Sequence, residues 1–244
     1  MPNYRLSTQA TLLQHPAHAE DVLAALSFLI SWHGPLPSGA SVPKLPYDRT
    51  QLYLIGHSCG AHIIASIVLD SSKITPTLTP PSTSAAISHA PNLISSIRAV
   101  VFTEGIYDLD LLLSSFPAYK DWFIAPAFGH YGTYAPFSVT RYPFRGHQGM
   151  TGYDGTHIRW LIVHSKGDTL VDLKQAEAMY DHLRGLHPAS VDDLAKTESL
   201  EAADEASLGG KVTRNWVDVD VDHDDVLGEL CVKLISNFIS NGNR

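Results

Sequence analysis

The chain has 244 residues, 44% of them hydrophobic, which is enough for one large core or at most two small ones. Its formal net charge of −8 argues against a nucleic-acid or anionic-membrane surface. The two cysteines, Cys59 and Cys231, form no disulfide framework, no signal-peptide pattern opens the chain and no apolar run reaches membrane-spanning length. An α/β domain of a reducing compartment, the cytoplasm, is expected.

A helix is expected from His15-Pro16, with Val22, Leu23, Leu26, Leu29 and Ile30 at helical spacing, ending near Gly34. The apolar run Leu52-Tyr53-Leu54-Ile55 then reads as a buried strand. It stops at Gly56-His57-Ser58-Cys59-Gly60 and restarts as a helix through Ala61 to Ile67. A Gly-x-Ser-x-Gly turn between strand and helix has a strained backbone, and its glycines let the two elements pass closely. It holds the serine hydroxyl at the carboxyl end of a sheet, where the following backbone N–H, that of Cys59, can point at a developing oxyanion.

Residues 71–91, rich in Ser, Thr, Pro and Ala, read as a surface insertion. A strand is expected at Ile97 to Phe102, followed by Thr103-Glu104-Gly105-Ile106-Tyr107-Asp108 and a short helix through Leu111-Leu112-Leu113. Between Phe116 and Tyr153 aromatics, prolines and glycines dominate, which predicts a cap or loop set able to wall an aromatic substrate. Ordinary core packing is the competing reading for each aromatic taken singly.

A serine nucleophile needs a base, and the base an orienting carboxylate, in the chain order serine, acid, histidine. The strand pattern Ile158 to His164 ends in Ser165-Lys166-Gly167-Asp168, so Asp168 lies just beyond a strand's carboxyl end and is the preferred acid. Asp172 is the fallback, since Val171-Asp172-Leu173 reads as a helix opening. An acidic intrusion at 189–210 precedes the last strand pattern, Val212 to Val219. His223 follows in a loop before a terminal helix, about Val226 to Ser240, and is the candidate base. Asp224 and Asp225 suit the cap of that helix.

Of the remaining histidines, His57 and His62 flank the serine and cannot both face it; one is expected to pack and the other to line the pocket mouth. His164 is expected to be a satisfied, semi-buried strand-end residue. No His-x-x-x-His helix pair with a neighbouring carboxylate and no cysteine pair occurs, so no metal site is expected.

Together, Tyr4-Arg5-Leu6-Ser7, His15-Pro16, Gly56 to His62, Glu104-Gly105-Ile106-Tyr107-Asp108, His164-Ser165-x-x-Asp168 and His223-Asp224-Asp225-Val226 resemble the fungal kynurenine formamidase (arylformamidase) family of α/β-hydrolases. The resemblance implies a single α/β-hydrolase domain, a mostly parallel sheet with helices on both faces. It implies Ser58 as nucleophile, Asp168 as acid, His223 as base and the Cys59 N–H as an oxyanion donor. It also implies hydrolysis of N-formyl-L-kynurenine to L-kynurenine and formate, in tryptophan catabolism toward NAD, without a cofactor. Tyr107, Trp122 and Phe123 are the expected substrate contacts; nucleic acid and membrane are not expected partners, and a homodimer is left open. The family's His-Gly-Gly-x-Trp oxyanion segment has no counterpart here, so the chain is expected to start after that segment and the first strands, and a truncated, non-catalytic hydrolase-like protein is one alternative. A general short-chain carboxylesterase with the same triad is the other.

Overall fold

In the computed structural model the described residues are 1–8, 11, 13–34, 45–73, 92–145, 155–187 and 211–242. The expected insertions therefore lie largely outside the described residues; of the first, Ser71–Lys73 forms a single 3-10 turn.

Four strands form one parallel sheet in the order β1-β2-β3-β4: β1 Leu52–His57, β2 Ile97–Thr103, β3 Arg159–Val163 and β4 Val212–Asn215. Parallel neighbours need crossovers, and helices supply them. Helix α1 (Ala17–Ser31) precedes β1, and α2 (Cys59–Val68) and the short α3 (Leu93–Ser96) lie between β1 and β2. Between β2 and β3 come α4 (Leu109–Ser115) and α5 (Ala125–Phe128); α6 (Leu173–Leu186) joins β3 to β4, and α7 (Glu229–Asn241) closes the chain.

Side chains alternate across a strand, and the two sets find different partners. Leu52 and Leu54 of β1, Val100 and Phe102 of β2, and Trp160 and Ile162 of β3 pack with α1, α2 and α6 through Leu23, Ile67 and Met179. Val101, Leu161 and Val163 face the other way, onto Cys231 and Ile235 of α7. A sheet covered on both faces explains why β2 and β3 read as continuous apolar runs. Ile55, on the same side as its register partner Val101, is about half exposed because β1 is the sheet edge among the described residues.

The aromatic segment differs from the expected cap. Phe128, Tyr134 and Phe137 are buried and form a second core with Ile106, Leu109, Leu112, Ile124 and Val171. Phe116, Tyr119, Trp122 and Phe123 form a more exposed ring cluster beside it, with Phe116 stacked on Tyr119 at 4.9 Å.

Strand β4 is half the expected length. After Asn215 its side chain accepts from the Asp218 N–H (3.3 Å) and donates to the Asp218 carboxylate (2.6 Å), a local turn that competes with the ladder. The terminal helix begins later than expected, with Gly228 at its N-cap. Asp224 and Asp225 lie in a 3-10 turn, His223–Asp225, which is capped instead by the Asp222 side chain. No helix among the described residues is long and apolar enough to cross a membrane.

Candidate active site

The register aligns His57, Thr103, Val163 and Asn215 in one row across the sheet. The next residues along the first three strands, Ser58, Glu104 and His164, therefore emerge side by side at the carboxyl edge. In a parallel α/β sheet this is where ligands bind.

Ser58 has φ 53° and ψ −123°, a positive-φ conformation that costs a non-glycine residue on the order of 1–3 kcal/mol. The surroundings hold it there: its N–H donates to the Thr103 carbonyl (2.9 Å), and its carbonyl accepts from Ala61 (3.0 Å). Gly56 is needed for the return of the chain, since a Cβ on it would lie 2.8 Å from the Ala61 Cα. Cys59 begins α2, so its N–H is among those that lack an acceptor within the helix. Tyr4 reaches over the turn, its hydroxyl 3.3 Å from the Cys59 sulfur.

The Asp168 side chain is fully buried and receives three donors. Oδ1 accepts the N–H groups of Leu170 (2.8 Å) and Val171 (2.9 Å), and Oδ2 lies 2.8 Å from His223 Nδ1. Burial pushes this carboxyl up, but the bond from His223, the neighbouring Glu104 carboxyl and the two N–H groups outweigh it and hold the carboxyl well below the usual carboxylate range. The loop that carries Asp168 is tied to the loop that carries His223. Ser165 Oγ donates to the Val221 carbonyl (2.6 Å) and accepts from its N–H (2.7 Å), and Lys166 N–H donates to Val219 (3.1 Å). Asp222 Oδ1 accepts from both Thr169 Oγ1 (3.1 Å) and the His223 N–H (2.8 Å).

The His223 ring is buried and lies 4.7 Å from the ring of His57, the residue before Ser58. With Nδ1 facing Asp168, Nε2 is the nitrogen left for a proton transfer. His57 Nδ1 sits 3.2 Å from Thr103 Oγ1, and burial followed by His223 lowers the His57 pKa. His62 is the packing histidine of the pair. It is buried with Nε2 2.9 Å from the Phe137 carbonyl, and burial pulls its pKa down to about 4.

The fallback acid Asp172 is engaged elsewhere, accepting from Ser115 Oγ at 2.6 Å with Lys174 Nζ at 3.6 Å. Tyr107 is not a pocket wall: its ring is fully buried, 5.5 Å from Phe102, because the chain turns inward after β2. Trp122 is 68% exposed, and Phe123 lies 5.1 Å from Tyr119, whose hydroxyl donates to the Leu170 carbonyl (3.1 Å) next to the acid loop. A cleft of about 340 Å³ is lined by Asp168, Asp172, Leu173 and Trp216 among others, but not by Ser58 or His223.

Two groups of side chains have metal-ligand character among the described residues: His57, His223 and Asp224, and Glu104, His164 and Asp168, each with its ligand atoms within 4.8 Å of one another. Each shares a member with the Asp168–His223 pair, so an ion in either would compete with the contact of that pair. The neighbour that sequence reasoning gave no role is Glu104. Its signal was a charged residue directly after an apolar strand, and it is fully buried beside Asp168.

No protein-family model matches the chain. It is 29% identical over 182 residues to the kynurenine formamidase of Meyerozyma guilliermondii, covering 75% of this chain and 57% of that protein. It is 27% identical over 189 residues to the kynurenine formamidase of Scheffersomyces stipitis, covering 75% and 62% respectively. The chain thus spans about three fifths of the length of these curated relatives. Among solved structures, the esterase Est2 from Thermogutta terrifontis superposes with a TM-score of 0.53 at 12% identity, covering 98% of this chain and 70% of that one. Esterase B from Lactobacillus rhamnosis gives a TM-score of 0.56 at 12% identity, covering 99% and 63%. The chain therefore has the α/β-hydrolase fold and resembles the kynurenine formamidases in sequence.

Proposed function

We propose that the chain is a single-domain serine hydrolase acting as an arylformamidase, which cleaves N-formyl-L-kynurenine to L-kynurenine and formate, a step of tryptophan catabolism toward NAD. The observation that carries the reading is the 2.8 Å contact of His223 Nδ1 with buried Asp168, the His223 ring lying 4.7 Å from that of His57, the residue before a serine at positive φ between strand and helix. The formamidase resemblance supplies the substrate.

In this reading Ser58 Oγ attacks the formyl carbonyl as His223 Nε2 takes its proton. Asp168 holds the imidazole in one tautomer and stabilises its charged form. The Cys59 N–H, at the start of α2, donates to the tetrahedral oxyanion. His223 then returns the proton to the aryl amine as the C–N bond breaks. Water, deprotonated by His223, attacks the formyl-enzyme, and the returning proton releases Ser58 and formate. No step calls for a cofactor. The cluster of Phe116, Tyr119 and Trp122, tethered to the acid loop through Tyr119, is a suitable wall for the aryl ring.

The test is kcat/KM for N-formyl-L-kynurenine against p-nitrophenyl acetate, with Ser58→Ala as control. Preference for formylkynurenine by at least about tenfold, lost with Ser58, is expected. The reverse preference would make the chain a short-chain carboxylesterase. No turnover of either by the folded chain would make it a non-catalytic hydrolase-like protein.

A further inference from the structure

We propose that Glu104 is a proton-bearing positioning residue, whose neutral carboxyl donates a hydrogen bond to Asp168 and fixes the acid that orients His223; this rests on the triad reading above.

Glu104 is 0% exposed and sits directly after β2 at φ 50°, a left-handed conformation that favours glycine. A carboxyl in so costly a place calls for a reason, and its surroundings supply one. Oε1 accepts the Ser165 N–H at 2.8 Å, which anchors the acid loop from beneath. Oε2 is buried with no donor aimed at it among the described residues. His164 Nδ1 is 3.1 Å from Oε2, but without the alignment of a hydrogen bond. One carboxyl oxygen of Glu104 and one of Asp168 lie within 4.8 Å of each other, and the proximity raises the pKa of Glu104. Among the described residues neither pairs with a lysine or arginine.

Two carboxylates in such contact, without a cation, cannot both be ionised. The donors decide which one keeps the proton. Asp168 receives His223, Leu170 and Val171, three donors that favour its charged form. Among the described residues Glu104 receives only the Ser165 N–H, and it is fully buried. The proton therefore belongs on Glu104, where it provides the one donor the contact lacks and relieves the stranded oxygen. Burial, then Asp168, pushes the Glu104 carboxyl up to about 9, against the opposing Ser165 N–H. The other titratable groups facing it are His164, kept neutral by burial, Tyr107 and, from α7, Cys231. Throughout the reaction this proton stays on Glu104.

The test is the second-order rate of covalent labelling of Ser58 by a fluorophosphonate, followed by mass from pH 6 to 10.5, in the unaltered chain, Glu104→Leu, Glu104→Gln and Ser58→Ala. Glu104→Leu is expected to label on the order of 10²-fold more slowly, and Glu104→Gln, which keeps an N–H donor, to recover most of that rate. The unaltered chain should slow above about pH 9 as Glu104 ionises, a limb that Glu104→Gln should lack. A folded Glu104→Leu labelling at the full rate would overturn the proposal. So would a Glu104→Gln profile with the same alkaline limb, and that comparison decides the matter even if the leucine variant does not fold. Labelling of Ser58→Ala equal to that of the unaltered chain would instead overturn the triad reading, and this inference with it.

Discussion

Gly56→Ala and Gly60→Ala are expected to act in opposite directions, although both glycines belong to the same five-residue turn. A Cβ on Gly56 would lie 2.8 Å from the Ala61 Cα, 2.8 Å from the Gly60 carbonyl oxygen and 2.9 Å from the Ala61 nitrogen. All three neighbours are backbone, so no rotamer change relieves the overlap and β1 must move away from α2. Overpacking of this kind costs about 1–3 kcal/mol, and the rigidity of the neighbours favours the upper half of that range. For a chain of this size each kcal/mol shifts Tm by about 2–4 °C, so a fall on the order of 4–12 °C is expected. Gly60, the second residue of α2, has nothing within 4 Å of its would-be Cβ and no positive φ. Alanine there restricts the unfolded chain and favours the helix, a gain of about 0.4–1 kcal/mol. Urea unfolding followed by far-UV circular dichroism, compared at equal m-values, measures both. Gly56→Ala with the midpoint of the unaltered chain, or Gly60→Ala destabilised by a similar amount, would refute the account of the turn.

Asp168→Asn should leave the fold intact and lower kcat by about 10⁴, because an amide at that place favours the wrong imidazole tautomer. Asp172→Asn, at the start of α6 and bound to Ser115, should stay within about threefold; equal losses in a steady-state assay would overturn the choice of Asp168. Acid stability follows from the same carboxyl. Since Asp168 is held below its ordinary value, the unfolded chain binds the extra proton as pH falls, so its contribution is complete above about pH 4 and declines below it. Urea midpoints at pH 7, 5 and 3 should therefore show a steeper acid decline in the unaltered chain than in Asp168→Asn, and parallel declines would contradict this. Glu104 has the opposite sign. Its raised pKa penalises the folded state increasingly from about pH 4.5 to about 9, so Glu104→Gln should gain stability over the unaltered chain between pH 5 and 9. A constant difference across that range would count against a protonated Glu104.

The candidate triad was legible because its signals are local. Ser58 and Asp168 each follow a buried strand pattern and His223 follows the last strand pattern, and parallel register brings strand ends to one edge. The preference for Asp168 over Asp172 rested on loop position, which is also what separates them in space. What stayed hidden depends on tertiary packing or on competing short-range bonds. Asn215 and Asp218 close a turn that ends β4 early, and Asp224 and Asp225, expected at the cap of the terminal helix, lie instead in a 3-10 turn capped by Asp222. Tyr107 reads like a pocket aromatic, yet the chain after Glu104 dives into the core. Glu104 gives little signal in sequence because a charged residue after a strand is ordinarily exposed, and its burial beside Asp168 is a product of the tertiary fold.

The central claim is that Ser58, activated by His223, is a nucleophile. Its most direct test is incubation of the folded chain with a fluorophosphonate at pH 7.5, then peptide mapping by mass spectrometry. The account predicts one adduct, on Ser58, absent in Ser58→Ala and formed at least about 10³-fold more slowly in His223→Ala. A folded chain that takes up no label, or takes it up elsewhere, would contradict it.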